Sequence, residues 1–167
     1  MTLVINTLKD NVCEKQIQSM LGNEIRWFEI LNTAVMKIHH CIGCNQCWLK
    51  TPGICAIKDD YEQIVRKLVE VQNIWLVSDT RFGFLDYRGK QIMDRIMPML
   101  NMNIEFRDGW MRHELRYHTL NVGVIYQGDG DQELLQEWSE RCAMNLGGKS
   151  LGVKSLDKAG KEASSCM

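Results

Sequence analysis

Apolar residues recur along this chain at two spacings that alternate. Leu3 to Asn6, "LVIN", with three apolar residues in succession, reads as a short buried strand. Cys13, Ile17, Met20 and Leu21 then share one helical face, and Asn11 with Glu14 resembles a helix-start signal. "IRWFEIL", Ile25 to Leu31, reads as a second strand. An irregular stretch follows, punctuated by Gly43, Pro52 and Gly53. Asp59 and Asp60 open a helix with an apolar face of Tyr61, Ile64, Val65, Leu68 and Val69. "NIWLVS", Asn73 to Ser78, is a third strand, apolar on both faces as a central parallel strand is. "DTRFGFLDYRG" predicts a loop, and the helix after it buries Ile92, Met93, Ile96 and Met97 and ends near Pro98. A long connection leads to the fourth strand, "LNVGVIY", Leu120 to Tyr126. The last clear helix carries a core stripe of Leu134, Leu135, Trp138, Cys142 and Leu146 and stops at Gly147-Gly148. A fifth short strand is expected near Ser150 to Val153.

Strand and helix alternation of this kind predicts an α/β domain, a five-stranded parallel sheet with helices on both faces. Residues 1–150 form that domain, and 151–167 are a short terminal strand or a mobile tail. Such sheets bind ligands beyond the carboxyl ends of their strands, where strand order reverses. With strands one and three adjacent, the loops starting near Asn6 and Ser78 line the expected site.

Charge and composition narrow the function classes. Twenty Lys and Arg against 21 Asp and Glu leave a formal net charge of −1, so no basic excess calls for nucleic acid or a membrane surface. No apolar run approaches the ~20 residues of a membrane span. The opening "MTLVINTLKD" lacks a basic segment followed by a long apolar one, so no export signal is expected and the cytoplasm is the default location. No Ser-His-Asp or paired-carboxylate arrangement suggests a hydrolase, and no catalytic residue is assigned.

The candidate chemistry lies in "CIGCNQCWLKTPGICAIKDD", Cys41 to Asp60. Four of the seven cysteines, Cys41, Cys44, Cys47 and Cys55, sit there at C-x2-C-x2-C-x7-C spacing. In a reducing compartment clustered cysteines favour metal binding or redox chemistry over disulfides. The first three can ligate three corners of an iron–sulfur cubane, with Cys55 returning as the fourth ligand. The short gaps match bacterial ferredoxin spacing, while the long last gap and the missing proline do not. Zinc also takes four thiolates. A thiol cluster without metal is the third reading. His39 and His40 lie beside Cys41 as alternative ligands.

On these cysteines the chain resembles the iron–sulfur flavoproteins of the NADPH-dependent FMN reductase group, within the flavodoxin-like superfamily. "GKQIMDRIMPML", Gly89 to Leu100, is similar to that family's K-x-x-x-DR helix, and "WMRHELRYH", Trp110 to His118, to its RH-x-x-RY stretch. The resemblance covers about residues 1–150. It implies a flavodoxin-like five-stranded parallel sheet and FMN as cofactor. It also implies a four-iron four-sulfur cluster on the four cysteines. Electrons would come from NAD(P)H or a redox-protein donor, and the chain would assemble as a homodimer or homotetramer. The function implied is an FMN-dependent oxidoreductase using NAD(P)H. The alternatives are an iron–sulfur flavoprotein that carries electrons, or a flavin-less scaffold or partner subunit.

The first loop, "NTLKDNVCEK", departs from the family's glycine- and hydroxyl-rich phosphate loop. It has no glycine, and Asp10 and Glu14 bring negative charge to the expected phosphate position, partly offset by Lys9 and Lys15. The resemblance makes Asn6, Thr7, Lys9 and Asn11 the candidate phosphate-side contacts. It makes Thr80, Arg81, Phe82 and Gly83 the candidates at the isoalloxazine, with Phe82 or Phe84 to cover its ring. Asp94 and Arg95 read as an exposed ion pair on a helical turn. Arg112, His113, Arg116 and His118 read as a solvated basic strip, a subunit contact or a source of charge for a flavin or nicotinamide phosphate. Cys13 and Cys142 read as core residues, and Cys166 is unassigned.

Overall fold

A computed structural model describes residues 1–10, 12, 14–22, 25 and 27–159. Asn11, Cys13 and Cys166 lie outside the described residues.

The main sheet is built from β1 (Thr2–Asn6), β2 (Phe28–Asn32), β3 (Asn73–Arg81), β7 (Leu120–Gln127) and β8 (Gly147–Ser155). Its order is β2-β1-β3-β7-β8, and every pairing along that path is parallel. Strands one and three are neighbours, as expected from the alternating pattern. The helices that cross between strands are α1 (Glu14–Leu21), α3 (Tyr61–Leu68), α4 (Tyr87–Asp94) and α5 (Gln132–Asn145). A single turn, α2 (Gln46–Leu49), lies in the cysteine segment, and α6 (Leu156–Ala159) follows β8. Among the described residues no helix is long and apolar enough to cross a membrane.

The period-two alternation of strand side chains splits the core into two layers. Leu3, Ile5, Ile74, Leu76, Val122 and Val124 face one side and pack with Tyr61, Ile64, Ile92 and Leu135 from α3, α4 and α5. Val4, Trp75, Val77 and Ile125 face the other and pack with Ile17, Met20 and Leu21 of α1. Helix α4 approaches β3 closely because position 89 is glycine. A Cβ there would stand 2.3 Å from the Ser78 Oγ. That close approach fixes the start of α4 beside the carboxyl end of β3.

The structure corrects four local expectations. The expected loop after Ser78 is largely ladder: β3 runs on to Arg81, and β4 (Phe84–Leu85) returns antiparallel beside it. The long connection before β7 is a hairpin, β5 (Leu100–Arg107) with β6 (Trp110–Leu115). Asp108 and Gly109 at its tip both have positive φ, 51° and 82°, the signature of a tight hairpin turn. Helix α4 ends at Asp94, before the three-residue 3-10 turn Met97–Met99 that contains Pro98. On α5, Leu135 and the C-cap Leu146 are buried and Trp138 and Cys142 pack against the core as expected, but Leu134 is 42% exposed and Ser139 and Ala143 complete the buried face. The strand expected near residue 150 is β8, which runs from Gly147 to Ser155 with register irregularities on either side of Ser150.

Candidate functional site

The carboxyl ends of β1, β3 and β7 surround a cavity of about 440 Å³. Thr7, Lys9 and Asp10 supply one wall, Asp79, Thr80 and Arg81 another, and Tyr87 and Arg88 of α4 a third. Two of the first loop's backbone N–H groups are already spent. That of Thr7 donates to the Val77 carbonyl at 2.9 Å, and that of Leu8 donates to Asn6 Oδ1 at 3.1 Å. The Thr7 hydroxyl also donates to the Val77 carbonyl, at 2.9 Å. A ligand phosphate would therefore meet side-chain cations here, Lys9, Arg81 and Arg88, rather than those two amides. The acidic group of this loop in the wall is Asp10; Glu14, in the first turn of α1, is not part of it.

Not every predicted contact reaches this cavity. Asn6 is fully buried, and its amide donates to the Asp10 carbonyl and to Asn32 Oδ1. It braces the loop rather than facing a ligand. Thr80 lies in the wall, its hydroxyl tied to the Gln127 carbonyl at 2.8 Å. Phe82 and Gly83 form the tip of the β3–β4 turn, both at positive φ, and Phe82 is 98% exposed. Neither lines the cavity. Phe84 instead packs edge-on against Trp138, with ring centroids 5.6 Å apart.

Sequence reasoning missed Asp86, Tyr87 and Arg88. Asp86 is the N-cap of α4, its Oδ1 accepting from the N–H groups of Arg88 and Gly89 and from the Ser78 hydroxyl. Tyr87 offers an exposed ring at the mouth, and its hydroxyl accepts from Arg88 Nε at 3.0 Å. The signal lay in "LDYRG", where an aspartate precedes a helix, a cap pattern the loop assignment passed over.

The other end of α4 meets a second cavity, of about 460 Å³. Cys41, Cys44, Cys47 and Cys55 all line it, with Met93 and Arg95 on the α4 side. All four are free thiols. Burial pushes the Cys47 thiol up from its ordinary pKa, and negative charge on Cys55, Cys41 and Cys44 pushes the same way. His39 and His40 are not in the wall; the backbone N–H of His39 donates to Asp59 Oδ2 at 2.8 Å. Among the described residues no three His, Cys, Asp or Glu side chains converge tightly enough to hold a single metal ion.

Arg95 is not the exposed residue the helical turn suggested. Its side chain is 1% exposed and pairs with Asp59, 3% exposed, at 2.5 Å. Asp94 pairs with Lys90 on the surface. The Arg95 guanidinium lies 4.4 Å from the centroid of the buried Tyr61 ring, and the Tyr61 hydroxyl donates to the Ile92 carbonyl. Burial would raise the Asp59 carboxyl, but the Arg95 hydrogen bond and charge, with the His39 and Tyr61 amides, outweigh it and hold the carboxyl below its ordinary value.

The basic strip on β6 and beyond does not join the first cavity. Arg112 and His113 line a separate, mostly apolar cavity of about 320 Å³ with Met93 and Cys142. The His113 ring lies tilted against Trp48, with ring centroids 4.7 Å apart and planes at 42°. His118 lies between the carbonyls of Val69 and Thr119. Cys142 is half-buried, and burial pushes its thiol up to about 12.

This sheet order, with a cavity at the reversal between β1 and β3, defines the flavodoxin-like class. The fold is shared with an FMN-complexed general stress protein 14 of Treponema denticola. That likeness has a TM-score of 0.53, spans 96% of this chain and 94% of the other, and carries 10% identity. In sequence the chain is similar to an iron–sulfur flavoprotein of Methanocaldococcus jannaschii, 32% identical over 98 residues. That match takes in 59% of this chain and 45% of the relative, so it spans about half the relative's length. No protein-family model matches the chain.

Proposed function

We propose that this chain is a flavin-binding electron-transfer protein that holds FMN in the first cavity and a four-iron four-sulfur cluster on Cys41, Cys44, Cys47 and Cys55. The observation that carries the reading is the convergence of all four cysteines on one cavity. Zinc would draw four sulfurs to about 2.3 Å from a single point. Thiols spread around a larger space suit a multi-atom cluster better. Binding iron would also offset the neighbouring thiolate charge that pushes the Cys47 thiol up. The similarity to the iron–sulfur flavoprotein supports the same reading.

The first cavity suits a flavin phosphate on one side and a ring on the other. Its volume lies within the usual range for small-molecule sites, about 300–1,000 Å³. Lys9, Arg81 and Arg88 supply cations, and the exposed Tyr87 ring supplies an aromatic face. FMN held there would supply the conversion of a two-electron hydride into single electrons, and a cluster held by Cys41, Cys44, Cys47 and Cys55 would supply a one-electron acceptor. Helix α4 spans the two cavities, with Tyr87 at one and Met93 at the other. Six residues of helix separate these positions by about 9 Å at 1.5 Å rise per residue. A reduced nicotinamide or a redox protein is the proposed electron donor, and a homodimer or homotetramer the proposed assembly.

Cysteine replacement tests the cluster. In protein purified without oxygen, Cys41→Ser, Cys44→Ser, Cys47→Ser and Cys55→Ser should each deplete iron, while Cys142→Ala should not. Equal iron in all five variants would remove the cluster from the account.

A further inference from the structure

The cysteine segment is held closed by one buried cation. His39 stands two residues before Cys41, and Asp59 four residues after Cys55. Arg95 bonds to both. Its Nη1 donates to the His39 carbonyl at 2.9 Å and to Asp59 Oδ2 at 2.5 Å. Its Nη2 donates to the Cys55 Sγ at 3.2 Å. The guanidinium face is covered by Tyr61. A planar fork can hold three such directions at once, which a lysine ammonium on a flexible stem does less well. Nε is also buried and has no protein partner.

Arg95 also reaches the cysteine cavity. It sits at the end of α4 and lines the cysteine cavity, touching a sulfur that faces that cavity. A hydrogen bond to a ligating sulfur is among the levers that set a cluster's reduction potential. A cation there also offsets the negative charge that arrives with an electron. We infer that Arg95 is a positioning residue for the four-cysteine centre, holding Cys55 in place and raising the potential at which the centre accepts one electron. This inference rests on the reading of the four cysteines as cluster ligands.

The experiment uses full-length protein purified without oxygen, as wild type, Arg95→Gln, Arg95→Lys and the double variant Arg95→Gln/Asp59→Asn. Iron and sulfide are assayed per chain. The loaded fraction is then titrated with dithionite and followed by electron paramagnetic resonance. Arg95→Gln leaves the Asp59 charge buried and alone, so it carries the risk of misfolding. The double variant removes both charges and isolates the lost hydrogen bond to sulfur. In both glutamine variants the one-electron reduction should become harder: by about tenfold in its equilibrium constant, a shift of ~59 mV to more negative potential, in the double variant, which loses the bond to sulfur at unchanged net charge, and by more in Arg95→Gln, which also leaves the Asp59 charge unopposed. Arg95→Lys should recover part of that shift. Loaded variants that titrate at the wild-type potential would overturn the inference while leaving the cluster reading intact. Wild-type protein without iron or sulfide would overturn both.

Discussion

The buried Arg95–Asp59 pair makes a strong energetic prediction. Asp59→Ala removes a carboxylate that accepts from the Arg95 guanidinium and from the backbone N–H groups of His39 and Tyr61. The guanidinium left behind has a side-chain exposure of 1%. Three charge-assisted bonds at roughly 1.5–3 kcal/mol each set an upper bound near 9 kcal/mol. Arg95 keeps its bonds to the His39 carbonyl and the Cys55 sulfur and its contact with Tyr61. The amide groups regain water where the chain relaxes. The expected loss is therefore that of breaking a buried pair, about 3–5 kcal/mol. Against a typical total of roughly 5–15 kcal/mol, this brings the domain close to its limit. Equilibrium unfolding of metal-free protein in urea, followed by tryptophan fluorescence, measures it. With an m-value of about 2 kcal/mol/M, the midpoint should fall by roughly 1.5–2.5 M. A fall of less than ~0.5 M would show a pair solvated like an ordinary surface bridge and would refute the burial argument.

Further expectations concern the same network and the two cavities. Because the folded Asp59 carboxyl titrates below its unfolded value near 3.9, its stabilisation is present above about pH 4 and lost as pH falls through the folded value. The urea midpoint of wild type should drop more steeply than that of Asp59→Asn between pH 5 and pH 3, and parallel curves would contradict this. Asp10→Asn removes the first loop's carboxylate from the cavity wall and should tighten FMN by roughly twofold to tenfold at low salt while leaving riboflavin nearly unchanged. Lys9→Gln should act in the opposite direction with the same selectivity, as read by titrating apoprotein with both ligands. Gly123→Ala would bring a Cβ to about 2.5 Å from the buried Trp75 ring and should cost about 1–3 kcal/mol in the same urea assay.

The five strands of the main sheet were legible because they rest on short-range pattern, and their order followed from the flavodoxin-like resemblance. Runs such as "NIWLVS" are apolar on both faces only when both faces are covered, and the alternation with helices then fixes a parallel sheet. The two hairpins were less legible. The β5–β6 turn did carry a signal, Asp108-Gly109, which suits a turn with two residues at positive φ. The β3–β4 turn carried half of one, Gly83 at φ 77°, since Phe82 is not a residue expected at φ 53°.

The cysteine cavity was legible from spacing, because three short gaps keep three thiols on one loop. Arg95 was not. Its burial depends on Asp59, which lies 36 residues away in the chain, and no local window contains that partner. Helical spacing also misled, since α4 stops at Asp94 and Arg95 lies beyond the last regular turn. Asn6 was drawn to the ligand by its place at a strand end, but its amide was needed to satisfy buried backbone in its own loop.

The central claim is that one chain carries a flavin and an iron–sulfur cluster at opposite ends of α4. An absorption spectrum of protein purified without oxygen, with iron, acid-labile sulfide and FMN assayed on the same sample, tests it most directly. The account predicts flavin bands over a broad cluster absorption, with about four iron and four sulfide per chain, as a cubane requires, and one FMN. A sample holding flavin but no iron, iron but no flavin, or zinc in place of iron would contradict it.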